Sequence, residues 1–205
     1  MQQDSALITF ILDESGSMES IESEAREGFN GYLADQVGHG GRTWWTLVTF
    51  NQRARTRFAA VPGSDVRPLG ADYSPSGMTA LFDAIGSAVT KTQAHLETLG
   101  TERPSDVIVV ILTDGMENAS QLWTNDQVAK LITEAEDSGW QFVFLGANQN
   151  SWAVSQSLGI RRGTIVDWEP TKEGHTRAME EARFATADFR RTKLQQVKYR
   201  DRTST

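Results

Sequence analysis

The most informative segment of the chain reads ALITFILD over residues 6–13, a nearly continuous apolar run that ends at Asp13. Because such a run suits a strand buried on both faces, it predicts a central strand of a parallel sheet. A second run of the same kind, DVIVVIL over residues 106–112, is closely followed by Asp114. Two buried strands, each with an aspartate at its end, therefore anchor the interpretation of the rest of the chain.

Strands and helices alternate outward from these two runs. Further strands are predicted at 43–50, 53–61, 140–145 and 163–166, and helices at 18–36, 79–99, 124–138, 150–158 and 171–198. The connection at 51–52 is short and predicts a hairpin, with 53–61 as an edge strand. The pattern predicts a Rossmann-like, doubly wound α/β domain. Its six-stranded sheet would be mostly parallel, with one antiparallel edge strand and helices on both faces.

Length and composition narrow the classes of protein that fit. A chain of 205 residues suits one domain. We divide it into a body, residues 1–170, and a C-terminal helix with a basic tail, residues 171–205, that we expect to pack on the same domain. The absence of cysteine excludes a disulfide scaffold, a thiolate zinc site, an iron–sulfur cluster and a cysteine nucleophile. No segment approaches the roughly 20 apolar residues of a membrane span, and the first residues lack a leader pattern, so we expect a cytoplasmic protein.

Charge is unevenly distributed along the chain. The net charge is −7, but residues 1–170 hold 11 basic and 22 acidic side chains, whereas residues 171–205 hold 9 and 5. An acidic body argues against broad nucleic-acid binding and is compatible with cation binding. For the six basic residues from Arg190 onward, we favour a solvated helix end over a docking site for anions.

Three turns rich in oxygen donors lie at the ends of these elements. They read DESGS (13–17), SGMTAL (76–81) and TDGMEN (113–118). Ligands of open α/β sheets bind at the carboxyl ends of strands, where the first and third of these turns fall. From the oxygen donors of these turns we select two carboxylates and three hydroxyls as candidate ligands: Asp13, Ser15, Ser17, Thr79 and Asp114. A set of hard oxygen ligands without a soft one favours Mg²⁺, with Mn²⁺ or Ca²⁺ as alternatives.

These motifs resemble the von Willebrand factor A domain and its metal-ion-dependent adhesion site. That family carries Asp-x-Ser-x-Ser after the first strand, a Thr in the second loop and an Asp before Gly in the third, and the five residues match every position. The resemblance covers about residues 5–167. It is greatest to small stand-alone bacterial and phage members, which continue with Glu-Asn-Ala-Ser as at 117–120.

The resemblance implies that the five residues contact the metal in different ways. Ser15, Ser17 and, in one state, Thr79 would bind the metal directly. Asp13 would act mostly through water, and Asp114 through water or directly. One coordination position would stay open for a carboxylate of a partner protein, which makes the chain a non-catalytic, metal-dependent binding module.

Other interpretations remain open from the residues alone. Ser15 and Ser17 could merely cap the following helix. Bacterial relatives often accompany AAA+ ATPases of the MoxR type, so an adaptor or subunit of such a machine is an alternative function. A metal-dependent hydrolase is less favoured, because a phosphatase of the haloacid dehalogenase type needs a second aspartate where Ser15 stands and a downstream lysine, and none precedes Lys91.

Several residues beside the five are candidates for contact with a partner: Glu14, Gly77, Met78, Glu117 and Trp123. We expect Glu117 to point to water rather than to a metal. For Trp123 we favour a hydrophobic staple with Val128, on a helix that a capping box opens at Thr124. The three histidines, His39, His95 and His175, lack metal-ligand spacing and are predicted to lie on the surface.

Overall fold

The computed structural model describes residues 4–147, 151–161 and 164–203. The strands are β1 (Ser5–Asp13), β2 (Arg42–Phe50), β3 (Ala54–Pro62), β4 (Asp106–Thr113), β5 (Gln141–Ala147) and β6 (Thr164–Trp168). The α-helices are α1 (Glu22–Gly38), α2 (Leu81–Leu99), α3 (Asn125–Asp137), α4 (Ser151–Ser157) and α5 (Lys172–Thr203). Short 3₁₀ helices occupy Gly16–Ile21, Gly63–Asp65 and Gly100–Glu102.

The six strands form one sheet in the order β3-β2-β1-β4-β5-β6. Every neighbouring pair is parallel except β2 and β3, which form the antiparallel hairpin at the edge. The predicted fold is thereby confirmed. Because β1 and β4 are paired, with Leu12 opposite Leu112, their carboxyl ends lie side by side at the centre of the sheet.

Both faces of the sheet are covered, as the apolar runs require. All nine residues of β1 and all eight of β4 are buried. One core cluster joins the sheet to α1 and α5, and another joins it to α2 and α3. In the first cluster the rings of Phe10 and Phe29 meet edge to face at 5.2 Å, a favoured aromatic geometry.

Element boundaries differ from prediction where tertiary contacts intervene. The helix predicted from residue 18 starts as the 3₁₀ turn Gly16–Ile21 and becomes α-helical at Glu22. The helix predicted from Thr79 starts at Leu81, because Ala80 N donates to Asn51 O (2.7 Å) in the loop. The capping box at Thr124 is confirmed. The predicted starts of α4 at Asn150 and of β6 at Gly163 lie outside the described residues.

The final helix packs along α1 and the neighbouring strands. Ala178, Met179 and Ala182 of α5 belong to the same core cluster as α1. Arg190 is buried rather than solvated and donates to Gln36 O (3.1 Å) and Gly40 O (2.9 Å). The division at residue 170 stays a prediction. No helix in the described part of the chain is both long and apolar enough to cross a membrane.

The prediction of a surface position is wrong for His175. Its side chain is 1 % exposed and meets the ring of Trp168 edge-on at 5.4 Å. A Cβ added to Gly28 of α1 would lie 2.5 Å from His175 Cε1, so α1 and α5 meet closely here only because residue 28 is glycine. Burial lowers the pKa of His175 to about 4, although the charge of Glu24 opposes this shift.

Candidate metal centre

The five predicted ligands lie at the central edge of the sheet. Asp13 is the last residue of β1, Asp114 follows β4 directly, and Thr79 precedes α2 by two residues. Because β1 and β4 are neighbours, the chain direction alone brings both aspartates to the same place.

Asp13 is the buried inner member of the group. Its Oδ1 accepts a hydrogen bond from Ser15 N (2.8 Å) and its Oδ2 accepts one from the Thr113 hydroxyl (2.6 Å). Burial nevertheless raises the pKa of Asp13 to about 6, because these hydrogen bonds offset the desolvation only in part. The carboxylate therefore lies in a place that lacks positive charge.

The two serines connect the first loop to Asp114. Ser17 Oγ donates to Asp114 Oδ1 at 2.5 Å, and the hydroxyls of Ser15 and Ser17 are 3.2 Å apart. Burial raises the pKa of Asp114, and the hydrogen bond from Ser17 opposes that shift. Ser17 is exposed while the other four side chains are buried, so the group opens to solvent at Ser17.

Thr79 joins the group because Gly115 has no side chain. A Cβ at Gly115 would lie 2.7 Å from Thr79 Oγ1 and 3.5 Å from Asp13 Oδ2. The Thr79 loop is held to the first loop by Gly16 N, which donates to Gly77 O at 3.0 Å. Gly77 has a φ of +78°, a conformation that glycine adopts without strain.

The structure thus brings all five predicted residues together. Two carboxylates and three hydroxyls form a hard oxygen set that suits a divalent cation. Among the described residues, no three His, Cys, Asp or Glu side chains group closely enough to hold a metal ion. A cation at this centre would therefore depend on the hydroxyls of Ser15, Ser17 and Thr79 as well as on the two aspartates.

Sequence comparison assigns a family to this arrangement. The family model for the von Willebrand factor type A domain matches residues 8–164. The chain belongs to this family. Comparison with curated proteins gives no significant match.

Several solved structures share the fold of this chain. Proximal thread matrix protein 1 from the mussel byssus, solved with a zinc-occupied MIDAS motif, is 20% identical with a TM-score of 0.60, over 90% of this chain and 46% of that one. The SpRpn10 VWA domain is 9% identical with a TM-score of 0.60, over 86% and 94% of the two chains. The manganese-loaded TRAP protein of Plasmodium vivax is 14% identical with a TM-score of 0.57, over 86% and 72%.

This chain spans less than half the length of the mussel protein. At these identities the likeness shows the fold alone.

The candidate partner contacts Glu14, Gly77 and Met78 border the centre of this VWA domain. The Glu14 carboxylate accepts from Arg57 Nη2 (3.1 Å) and Ser74 N (2.9 Å), so it holds the loop rather than projecting freely. Met78 is 54 % exposed, and Met116, which the sequence analysis overlooked, is 70 % exposed next to Gly115. Two exposed methionines therefore flank the centre.

Glu117 has a structural role that its sequence position does not indicate. Instead of pointing to water, its carboxylate accepts from four donors: Ala119 N, Ser120 N, the Ser120 hydroxyl and Phe82 N. Since Phe82 is in the first turn of α2, Glu117 satisfies a free N–H at that helix end. It thereby ties the Asp114 loop to the helix that follows Thr79.

Asp83 is a supporting residue that the sequence analysis did not select for the site. Its carboxylate accepts from the backbone N–H groups of residues 121, 122 and 123, at 2.9–3.0 Å. Trp123 packs with the cluster that contains Val128, and its ring lies where a side chain at Gly86 would extend. These contacts hold the 117–123 loop against α2, in agreement with a packing role for Trp123.

Proposed function

We propose that this chain is a non-catalytic protein-binding module that holds Mg²⁺ at Asp13, Ser15, Ser17, Thr79 and Asp114. The metal centre takes a carboxylate from a partner protein. The supporting observation is the convergence of these side chains, above all the 2.5 Å contact from the Ser17 hydroxyl to Asp114. A cytoplasmic location and a bacterial or phage origin stay predictions of the sequence.

The charges within the group favour an acidic ligand. When bound, a divalent cation supplies positive charge and a coordination position for a carboxylate. Ser15, Ser17 and Thr79 are neutral, and the resemblance implies that Asp13 acts mostly through water, so the groups in direct contact with the ion would leave it with a net positive charge. A ligand that brings its own negative charge then binds more firmly than a neutral one.

The raised pKa values of both aspartates support the binding of a cation. Burial without full compensation disfavours the ionised form of Asp13 and of Asp114. A cation next to them would relieve that penalty. The proposal names Mg²⁺ because all the donors are hard oxygens, although the solved relatives hold zinc or manganese.

A binding role agrees with the way the side chains are engaged. Both oxygens of Asp13 accept hydrogen bonds that orient the loops, from Ser15 N and from Thr113. The groups around the five residues are hydroxyls, backbone amides and carboxylates. One of the hydroxyls is that of Tyr73, which donates to Asp13 O at 2.6 Å. This arrangement suits the holding of an ion more than the transfer of protons.

Thermal unfolding with and without metal tests the centre. At about 100-fold over its dissociation constant, Mg²⁺ stabilises the fold by roughly 2.7 kcal/mol, a rise in melting temperature of about 5–10 °C for a chain of this size. The Asp114→Asn variant should show no rise, whereas Glu180→Gln, which removes an exposed carboxylate of α5, should behave as wild type. Equal melting temperatures of the wild type in EDTA, Mg²⁺ and Mn²⁺ would disprove the metal centre.

A pull-down tests the binding role. Proteins captured from the native source by the wild type in Mg²⁺ should be released by EDTA and should not be captured by Asp114→Asn. Capture that is equal with Mg²⁺ and EDTA, and equal for both proteins, would show that the partner uses another surface.

A further inference from the structure

Basic side chains concentrate beside the metal centre in an otherwise acidic body. Four of the 11 basic residues of residues 1–170 lie within 53–67: Arg53, Arg55, Arg57 and Arg67. The same segment contains one acidic residue, Asp65, although the body has twice as many acidic as basic side chains. The net charge of residues 53–67 is therefore opposite in sign to that of the body as a whole.

Three of these residues line one concavity, which we name the arginine groove. Arg55, Arg57 and Arg67 lie along a cavity of about 360 Å³ between β3 and the loop that follows it. The half-buried ring of Phe58 and the side chain of Leu69 line the same cavity. Asp72, whose carboxylate is paired with Arg57, also lines the cavity. The groove therefore combines an excess of guanidinium groups with an apolar wall, a combination that suits a peptide segment.

The arginines of the groove differ in their roles. Arg57 is 8 % exposed and is already engaged by Glu14 (3.1 Å), Asp72 (2.8 Å) and the Thr49 hydroxyl (3.0 Å), so it is structural. Arg55 and Arg67 are exposed, and within the described part of the chain no hydrogen bond or ion pair engages their side chains. Two guanidinium groups are therefore available to a ligand.

The arginine groove lies beside the metal centre, and hydrogen bonds connect the residues that line the two sites. Arg57 holds Glu14, which is the next residue after the metal-centre residue Asp13. The segment from 72 to 76 holds both sides: Asp72 contacts Arg57, the Tyr73 hydroxyl donates to Asp13 O (2.6 Å), and Ser76 N donates to Glu14 O (2.8 Å). A ligand that reaches the centre at its exposed side can thus extend into the groove.

We propose that the arginine groove binds an acidic segment of the same partner whose carboxylate enters the metal centre. This inference rests on the proposed function. Carboxylates pair well with guanidinium groups, so acidic residues that flank an anchoring Asp or Glu would find partners in Arg55 and Arg67. A nucleic acid is the less suitable occupant, because its continuous phosphate charge would extend over the acidic surface around the groove.

Two labelled octapeptides test the proposal by fluorescence anisotropy. One has a single glutamate among glycines and serines, and the other has five glutamates. The wild type in Mg²⁺ should bind the second about tenfold more tightly, as expected for two partly exposed ion pairs. Arg55→Glu/Arg67→Glu should lose that preference. Arg55→Gln/Arg67→Gln should weaken it, and a preference that falls with added salt would agree with ion pairing.

A matched control separates the groove from net charge. Lys130→Glu/Arg177→Glu makes the same change of charge at two exposed positions on α3 and α5 and should keep the preference. If the groove variants bind both peptides as the wild type does, the groove proposal is wrong. The groove proposal is also wrong if the wild type in Mg²⁺ binds neither peptide.

The metal dependence of the same assay reports on the proposed function separately. Loss of binding in EDTA and in Asp114→Asn, with an unchanged preference in the groove variants, would retain the metal centre and reject the groove. Preference that depends on Arg55 and Arg67 but not on Mg²⁺ would reject the centre instead. Tighter, arginine-dependent binding of an eight-nucleotide RNA would overturn the assignment of an acidic peptide.

Discussion

Replacement of His175 by glutamine should change how the stability of the protein depends on pH. The imidazole of His175 is buried between α5 and α1, in contact with the ring of Trp168. Its Nε2 is buried and has no hydrogen-bond partner among the residues that the structure describes, so protonation on this side would leave a charge without a partner there. Glu24 is the acidic group that acts on it, and Glu24 itself is paired with Lys172 at 2.6 Å.

The sign and the size of the effect follow from the pKa. Burial lowers the pKa of His175 from 6.5 to about 4, so between these values the unfolded chain binds more protons than the folded one. The contribution of His175 is therefore complete above pH 6.5 and is lost as the pH falls toward 4. A difference of about 2.5 pH units corresponds to roughly 3 kcal/mol.

Urea unfolding followed by tryptophan fluorescence at several pH values measures this contribution. Asp13 acts in the opposite direction, because its raised pKa makes it lose stability as the pH rises from about 4 to 6. The wild-type curve alone is therefore ambiguous. Asp13 contributes equally to both proteins, so its contribution cancels in the difference in unfolding free energy between wild type and His175→Gln. Between pH 7 and pH 4 the wild type should lose up to about 3 kcal/mol relative to the variant. A difference that is constant across this range would refute the buried neutral imidazole.

Two further substitutions probe the centre and its support. Thr79→Ala removes one neutral oxygen but keeps the backbone contacts of residue 79 with Asn118. In EDTA the unfolding free energy of this variant should stay within about 1 kcal/mol of the wild-type value. Calorimetry should show weaker Mg²⁺ binding. An unchanged Mg²⁺ affinity would remove Thr79 from the ligand set. Asp83→Ala leaves the three N–H groups of residues 121–123 without an acceptor. Its unfolding free energy, measured with urea, should fall by about 3 kcal/mol. A fall of less than about 0.5 kcal/mol would show that water replaces the carboxylate.

The local pattern of the chain is sufficient to predict the fold class and the candidate residues of the site. The buried runs at 6–12 and 106–112 lack the polar alternation of a half-exposed strand, so only the interior of a parallel sheet suits them. Once β1 and β4 are central, the rules of sheet topology bring Asp13 and Asp114 to one edge. The chemistry of the site follows from residue type and from the position of three turns.

The same pattern does not determine what the individual side chains contact. Glu117 binds Phe82 N across 35 residues, Arg57 binds Glu14 across 43, and Arg190 binds Gln36 across 154. Residue type predicts an exposed position for such charged groups, because their desolvation is costly unless partners are present. The partners come from other elements, and no local window contains them.

The sequence by itself therefore determines the order of the elements along the chain, the mostly parallel character of the sheet with its antiparallel edge strand, and the identity of the candidate ligands. Only the tertiary structure decides that Ser17 meets Asp114, that Glu117 supports α2, that His175 is buried and that the arginine groove adjoins the centre. The physical reason is the separation along the chain of the residues that interact. Strand burial and turn formation depend on neighbours within a few residues, whereas hydrogen bonds and ion pairs need atoms within about 3 Å of one another, which the packing of distant elements brings together.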